Sequence, residues 1–362
     1  MGNENLHNAK IAKNDEFYTQ YSDIQKEINA YLEYDPNVFK DKTILLPCDD
    51  PEWSNFTKFF AQNFENFGLK KLISTSYARA SKLKKYGQMD LFEDTDYITK
   101  DPNYQSNIDA EKGKIFTLTR KNKKVDITDL KWEYLNGDGD FRSDEVKKLR
   151  DEADYIITNP PFSLFRCFIS WLVESKKQFL IIGNINAITY KEVFPLVKEN
   201  KIWLGATGYM TDMVFEVPKG TEIKQSDKEK AERLGYKGNY TRLGNSCWFT
   251  NLEHGRRHQP LQLMTRADNI KFNKKLKGQD YCKYDNYDAI EVPYNNAIPS
   301  DYDGVMGVPI SFLDKYCPEQ FEIIDISSNL ARPIIINGKR GTGRFYVNGK
   351  RLYDRIAIRK IK

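Results

Sequence analysis

Residue types that build metal and disulfide sites are scarce in this chain. Its 362 residues include three histidines and five cysteines, and Cys48, Cys167, Cys247, Cys282 and Cys317 are scattered without a CxxC pair. An odd, dispersed set excludes a disulfide framework or a zinc knuckle and implies reduced thiols. His254 and His258 enclose only Gly255-Arg256-Arg257, and no acidic partner follows at ligand spacing, so no metal is expected. Long apolar runs are missing too: none approaches the ~18 residues of a membrane span. The N-terminal MGNENLHNAKIAKNDEF lacks the apolar stretch of a secretory signal. A cytoplasmic protein with no membrane partner is expected.

What is present suffices for a sizeable core. Hydrophobic residues make up 40% of the chain and charged residues 30%, and the length allows a catalytic core plus a second region. Net charge is only +5, but its distribution is uneven. Residues 331–362 carry ten Lys and Arg against the single acid Asp354, a local +9 that leaves −4 for the rest. Such a basic tail suits phosphate contacts, or equally a solvated terminal hairpin.

Short apolar runs alternate with helix-like stretches in the first half. Thr43–Pro47 precedes NFTKFFAQNF; Lys71–Thr75 follows; Asp154–Thr158 precedes SLFRCFISWLVESKK; Phe179–Gly183 precedes KEVFPLVKEN and Ile202–Gly205. Continuous apolar strands between amphipathic helices indicate an α/β fold with a doubly wound mixed sheet, which binds ligands beyond the strands' carboxyl ends. Two stretches interrupt the pattern. Residues 78–130 read as a polar insertion with a hairpin around Lys121–Lys124. Beyond residue 206 the rhythm fades, and 206–362 reads as an irregular, β-rich region appended to a core of 1–205. Asn-Gly-Lys-Arg occurs there at 337–340 and 348–351, and Asn-Gly between apolar runs is a strong hairpin signal.

The sharpest motif is Asn159-Pro160-Pro161-Phe162, directly after the strand DYIIT and before a helix. An aromatic amine is a poor nucleophile because its lone pair is delocalised into the ring. Two acceptors aimed at its N–H bonds localise that pair. The Asn159 side-chain oxygen and the Pro160 carbonyl supply them, held rigid by two fixed φ angles. Phe162 offers a flat face for a base taken out of a duplex. A sulfonium methyl donor needs no strong base, which fits the absence of a His or Cys nucleophile. The structural alternative is a strand-ending Pro-Pro turn with a core Phe.

These residues, taken with their neighbours, resemble the EcoRI-type adenine-specific DNA methyltransferases. The matching segments are DEFYTQYSDI (15–24), CDDPEWSNF (48–56), GDGDFRS (137–143), TNPPFSLFR (158–166), ITYKEVF (188–194), ENKIWLG (199–205), KYDNYDAI (283–290), DYDGVMGVPISFL (301–313) and PEQFEII (318–324). The resemblance implies a Rossmann-like class I methyltransferase core (1–205), with S-adenosyl-L-methionine as cofactor. It also implies target recognition in 206–362, double-stranded DNA as substrate, and a cognate restriction endonuclease acting on the same site. Asn159, Pro160, Pro161 and Phe162 become the catalytic set.

By the same resemblance, Phe17, Tyr18 and Thr19 lie against the methionine portion of the cofactor. Cys48, Asp49, Asp50 and Pro51 form its turn, which here lacks the usual GxG. Either carboxylate is free to take the ammonium, or to cap the next helix. Asp138, Asp140 and Phe141 meet the cofactor's adenine, unless Arg142 ties two loops together with a charged hydrogen bond. The second strand ends in Ser74-Thr75-Ser76, without the acid that commonly grips a ribose. Arg242, Arg256 and Arg257 are candidates for base edges; Lys339, Arg340, Lys350 and Arg351 suit phosphates. KYDNYDAI and DYDGVMGVPI read as packing. Competing readings are methylation of RNA adenine or another planar amide, and a catalytically inactive DNA-binding relative.

Overall fold

The computed structural model describes residues 18–78, 111–120, 131–208, 212–217, 223–336 and 338–361. They form two compact units that interleave along the chain. The first comprises the described residues through Ile185 together with Thr207–Leu252; the second comprises Asn186–Ala206 and the described residues from Glu253 onward. The sequence puts a single boundary at 205/206, so the return of 207–252 to the first unit is a departure from it.

The first unit opens with β1 (Tyr18–Thr19), α1 (Tyr21–Tyr34), β2 (Thr43–Leu46), α2 (Asn55–Gln62) and β3 (Lys71–Thr75). It continues through β4 (Lys114–Thr119), β5 (Trp132–Tyr134), α3 (Asp144–Glu152), β6 (Tyr155–Thr158), α4 (Phe165–Ser175) and β7 (Gln178–Asn184). After α5 (Phe194–Lys198) and β8 (Trp203–Leu204) of the second unit come β9 (Val214–Glu216), α6 (Gln225–Arg233), β10 (Tyr240–Arg242) and β11 (Ser246–Thr250).

Within the first unit the large mixed sheet runs β5-β4-β3-β2-β6-β7-β11. β2 pairs parallel with β3 and β6, and β6 with β7, while β4, β5 and β11 join antiparallel. Every residue of β2, β6 and β11 is buried, as expected of strands covered on both faces. The polar stretch near 78–130 thus supplies a sheet strand, β4; the Lys121–Lys124 hairpin falls outside the described residues. From β2 the chain moves to β3 on one side and later returns as β6 on the other. It is at such a reversal, beyond the carboxyl ends of the strands, that α/β sheets take ligands. A second sheet, β1-β9-β10, pairs Thr19 with Phe215 and Phe215 with Thr241.

The second unit adds α7 (Arg266–Phe272), β12 (Ile290–Glu291), β13 (Met306–Pro309), β14 (Phe321–Ile326) and α8 (Ser327–Leu330). It ends with β15 (Ile335–Ile336), β16 (Lys339–Arg340), β17 (Tyr346–Val347), β18 (Lys350–Arg351) and β19 (Arg355–Lys360). Its sheet runs β12-β13-β19-β14. The chain's end is therefore an inner strand, with Ile356, Ala357 and Ile358 fully buried. β15 pairs antiparallel with β16 and β17 with β18, and Asn348-Gly349 forms the turn of the second hairpin; Asn337 lies outside the described residues. Asn348 and Gly349 have φ of 50° and 73°, the left-handed pair that a two-residue type I′ turn demands. Among the described residues no helix is long and apolar enough to cross a membrane.

Candidate active site

Hydroxyl groups, more than charges, tie the strand ends together at this reversal. Asp49 follows β2 and is buried, with Oδ1 accepting from Ser54 Oγ at 2.7 Å and Oδ2 from Thr158 Oγ1 at 2.6 Å. Thr158 ends β6 and immediately precedes Asn159, so this one carboxylate ties the turn after β2 to the corner after β6. At the opposite end of the two strands, the Asp154 carboxylate accepts from Thr43 N at 2.7 Å, and Asp154 N donates to Thr43 O at 2.9 Å. The strand pair is clamped at both ends.

The carboxyl end of β3 is fixed in the same manner. Ser74 Oγ donates to the Asp49 carbonyl and lies 2.7 Å from Thr57 Oγ1, while Thr75 Oγ1 donates to Pro47 O at 3.2 Å. These hydroxyls stand where a ribose-gripping acid is absent. They were missed in the sequence because a Ser or Thr at a strand end carries no charge and matches no motif.

Burial pushes the Asp49 carboxyl up to about 7; the hydrogen bonds from Thr158 and Ser54 pull the other way, and neighbouring Asp50 adds to the rise. Asp50 accepts from Glu52 N at 2.9 Å through Oδ1, a side-chain turn of the kind Asp favours. Neither acid caps the next helix. Ser54 is the N-cap of α2, its side chain accepting from Phe56 N, an arrangement worth about 1 kcal/mol. Cys48 is half-buried and Pro51 buried beside these acids.

The Asn-Pro-Pro-Phe corner stands at the carboxyl end of β6. Asn159 and Phe162 are half-buried, Pro160 is buried, and Asn159 Oδ1 is shielded from solvent. A short 3-10 turn, Phe162–Leu164, leads into α4. Its first hydrogen bond, from Leu164 N, goes to Pro161 O at 3.0 Å. Among the described residues nothing donates to Pro160 O.

Of the other cofactor candidates, Phe17 lies outside the described residues. Tyr18 is half-buried, and Thr19 is 4% exposed with a buried Oγ1 that has no hydrogen-bond partner among the described residues. Asn55, at the start of α2, donates through Nδ2 to Thr19 O at 2.8 Å, which attaches this strand to the helix after the Asp49–Asp50 turn.

The Asp138–Phe141 loop is fixed by backbone contact. Gly139 has φ of 77°, and a Cβ on it would sit 2.0 Å from Ser76 O. Only glycine fits there, and the loop is thereby pressed against the end of β3. Asp138 Oδ1 accepts from Asp140 N at 3.1 Å. Asp140 takes a forked pair from Arg142, Nε to Oδ1 at 2.8 Å and Nη2 to Oδ2 at 2.5 Å. That charged bond closes the loop on itself. Phe141 departs from its expected stacking role, being buried edge-on against Phe168 and Trp171 at 5.0 and 5.6 Å.

The candidate DNA contacts divide sharply. Arg257 is 7% exposed, with its guanidinium 3.6 Å over the Trp203 ring and Nη2 donating to Asn200 Oδ1 at 3.0 Å. Arg256 donates to Ala206 O at 2.9 Å and to Asp314 Oδ2 at 2.6 Å. Arg257 is thus committed to the second unit's own packing, while Arg256 is ion-paired and partly exposed. Arg242 pairs with Asp212 through Nε at 2.6 Å. His254 is buried, with Nε2 3.0 Å from Leu204 O, and burial lowers it to about 4; His258 lies between Glu253 and Glu319 at 3.0 and 2.8 Å. In the tail, Arg344 pairs with Asp354, Arg355 with Glu291, Arg359 with Glu322 and Lys360 with Asp303. Arg340, Lys350 and Arg351 are exposed and pair with no acid among the described residues. Lys339 belongs to β16, and its side chain is outside the described set.

The family model described as adenine-specific methyltransferase EcoRI matches residues 5–361. The chain is 42% identical to the Type II methyltransferase M.EcoRI of Escherichia coli over 355 residues, covering 97% of this chain and 98% of that protein. It is 35% identical to the Type II methyltransferase M.MgeORF184P of Mycoplasma genitalium and 33% identical to M.MpnI of Mycoplasma pneumoniae, each over 97% of both chains. No solved structure matches it. The chain belongs to the EcoRI-type family of adenine-specific methyltransferases.

Proposed function

We propose that the chain transfers a methyl group from S-adenosyl-L-methionine to the exocyclic amino group of an adenine extruded from double-stranded DNA. It acts as the modification half of a restriction–modification pair, whose endonuclease cuts the same site. The observation that carries this reading is the corner at Asn159. A carboxamide and an unused imide carbonyl stand together at the carboxyl end of β6, where the strand order reverses. The parallel β3-β2-β6-β7 order supports a Rossmann-like class I methyltransferase core, with β4, β5 and β11 joining it antiparallel.

When bound, the cofactor supplies a methyl group on a sulfonium, already activated for attack. The residues of this chain do the rest. Asn159 Oδ1 and Pro160 O accept the two amino N–H bonds and localise the nitrogen lone pair toward the methyl. Phe162 stacks on the base, and its neighbours exclude water. Asp49 holds Thr158, and through it Asn159, in register with the cofactor turn, since misplacement by about 1 Å costs on the order of 100-fold in rate. Thr19, whose buried hydroxyl has no partner among the described residues, fits a hydrogen-bonding cofactor, together with Tyr18, Cys48, Asp50, Pro51 and the Asp138–Asp140 loop. Target recognition falls to 206–362, with Arg242 toward base edges and Lys339, Arg340, Lys350 and Arg351 toward phosphates.

The test is an acceptor panel. Purified chain with labelled cofactor should label duplex DNA, and not structured RNA or protein. Label in RNA or protein alone would overturn the substrate assignment.

A further inference from the structure

The KYDNYDAI segment reads in the sequence as packing, yet two of its side chains are committed to the basic hairpins. Asp285 is exposed, but both its oxygens accept from the β17–β18 turn: Oδ1 from Asn348 N at 3.2 Å and Oδ2 from Gly349 N at 2.8 Å. Its backbone N–H donates to Tyr346 O at 2.8 Å. Asn286 is 6% exposed and fully used. Its Oδ1 accepts from Tyr346 N at 3.1 Å, and its Nδ2 donates to Arg332 O at 3.0 Å and Arg344 O at 2.8 Å. Arg332 and Arg344 flank β15–β16, so one amide closes the loop carrying the first hairpin and seats the first strand of the second. Beneath them, Phe345 has Tyr284 at 4.3 Å and Tyr287 at 5.1 Å.

A two-stranded hairpin alone is marginal in water. Cations on a wandering hairpin lose freedom on binding and return little affinity. Charge-assisted bonds to the turn amides and a buried amide with every group satisfied remove that motion beforehand. We propose that Asp285 and Asn286 form a clasp, as positioning residues that hold both hairpins as one phosphate-binding platform for duplex DNA without touching the DNA. The inference rests on the phosphate assignment of Arg340, Lys350 and Arg351 made above.

Its sign separates it from simple electrostatics. A carboxylate on a phosphate-facing surface repels the ligand, so by charge alone Asp285→Ala tightens DNA binding. The clasp requires the reverse.

The experiment measures duplex affinity across salt concentrations for the full chain, Asp285→Ala, Asn286→Ala, Lys350→Ala with Arg351→Ala, and that double variant carrying Asp285→Ala. Cofactor titration checks that the first unit stays folded. Asp285→Ala should bind DNA about fivefold more weakly with a shallower salt slope, as for losing roughly one phosphate contact. In the double-variant background the added loss should fall below about twofold. Asp285→Asn, which keeps one acceptor, should recover part of the affinity. Equal or tighter binding by Asp285→Ala, beside a weakened double variant, overturns the clasp alone. So does a full fivefold loss that persists without the hairpin cations. Wild-type affinity in the double variant overturns the phosphate assignment and the clasp with it.

Discussion

The corner at Asn159 and the hairpin pair at 335–351 are held in place by opposite means. The corner is set by burial: Asp49, Ser54, Ser74, Thr75 and Thr158 are each less than 10% exposed and spend their hydrogen bonds on one another or on nearby backbone. The hairpins lie near the surface, the second turning on Asn348-Gly349 and bonded to Asp285 and Asn286, with Arg340, Lys350 and Arg351 left to solvent. Deep networks give positional accuracy, which a bond-making step needs; exposed cations give long-range, salt-screened attraction. Damage to the first should therefore appear in rate, and damage to the second in affinity.

The largest expected effect breaks the corner itself. Asn159→Ala should lower single-turnover methyl transfer by about 1,000-fold or more, since loss of one group aimed at transition-state charge costs on the order of 100- to 1,000-fold and the second acceptor cannot act alone. Next comes the brace. Asp49→Ala should cost about 100-fold in single-turnover rate, with duplex affinity measured by titration changed less than about twofold; a loss confined to affinity would place Asp49 in DNA binding instead. On the other side of the comparison, Lys350→Ala with Arg351→Ala should weaken DNA binding about tenfold at moderate salt, equally across sequences, and flatten the log–log salt slope by about two. Altered sequence preference would move these residues from phosphate contact to base reading.

The smallest effect on rate belongs to Asp49→Asn, which keeps hydrogen bonds to both hydroxyls. Its signature is in stability. The carboxyl titrates near ~4 unfolded and at about 7 when folded, so the native state holds the proton more tightly. That contribution is complete below about pH 4 and is lost as pH rises through about 7. Thermal unfolding of the wild type should show this decline, and Asp49→Asn should flatten it. An identical pH profile in both would mean that Asp49 is not the titrating group.

Much of the architecture was legible. Strands β2, β6 and β7 centre on continuous apolar stretches, and Asn-Pro-Pro-Phe stands directly after β6, as its place in the chain implies. The hairpin turn at Asn348-Gly349 was equally plain. What escaped depends on distance and depth. Ser246–Thr250 joins β7 from far along the chain, and nothing in a Ser-Cys-Trp-Phe-Thr stretch between polar loops names its partner. Arg257 shows its charge in sequence but not its burial against Trp203. Phe141 looks like a stacking face until Phe168 and Trp171 close over it. The hydroxyl clamp around Asp49 was invisible because its members act only once three strand ends are brought together.

The most direct test follows the methyl group itself. Duplex DNA treated with labelled cofactor and each protein is digested to nucleosides and the label identified. The expected result is N6-methyldeoxyadenosine from the wild type and none from Asn159→Ala, although that variant still binds cofactor and duplex. Label on cytosine, or full labelling of adenine by Asn159→Ala, would contradict the role assigned to the corner.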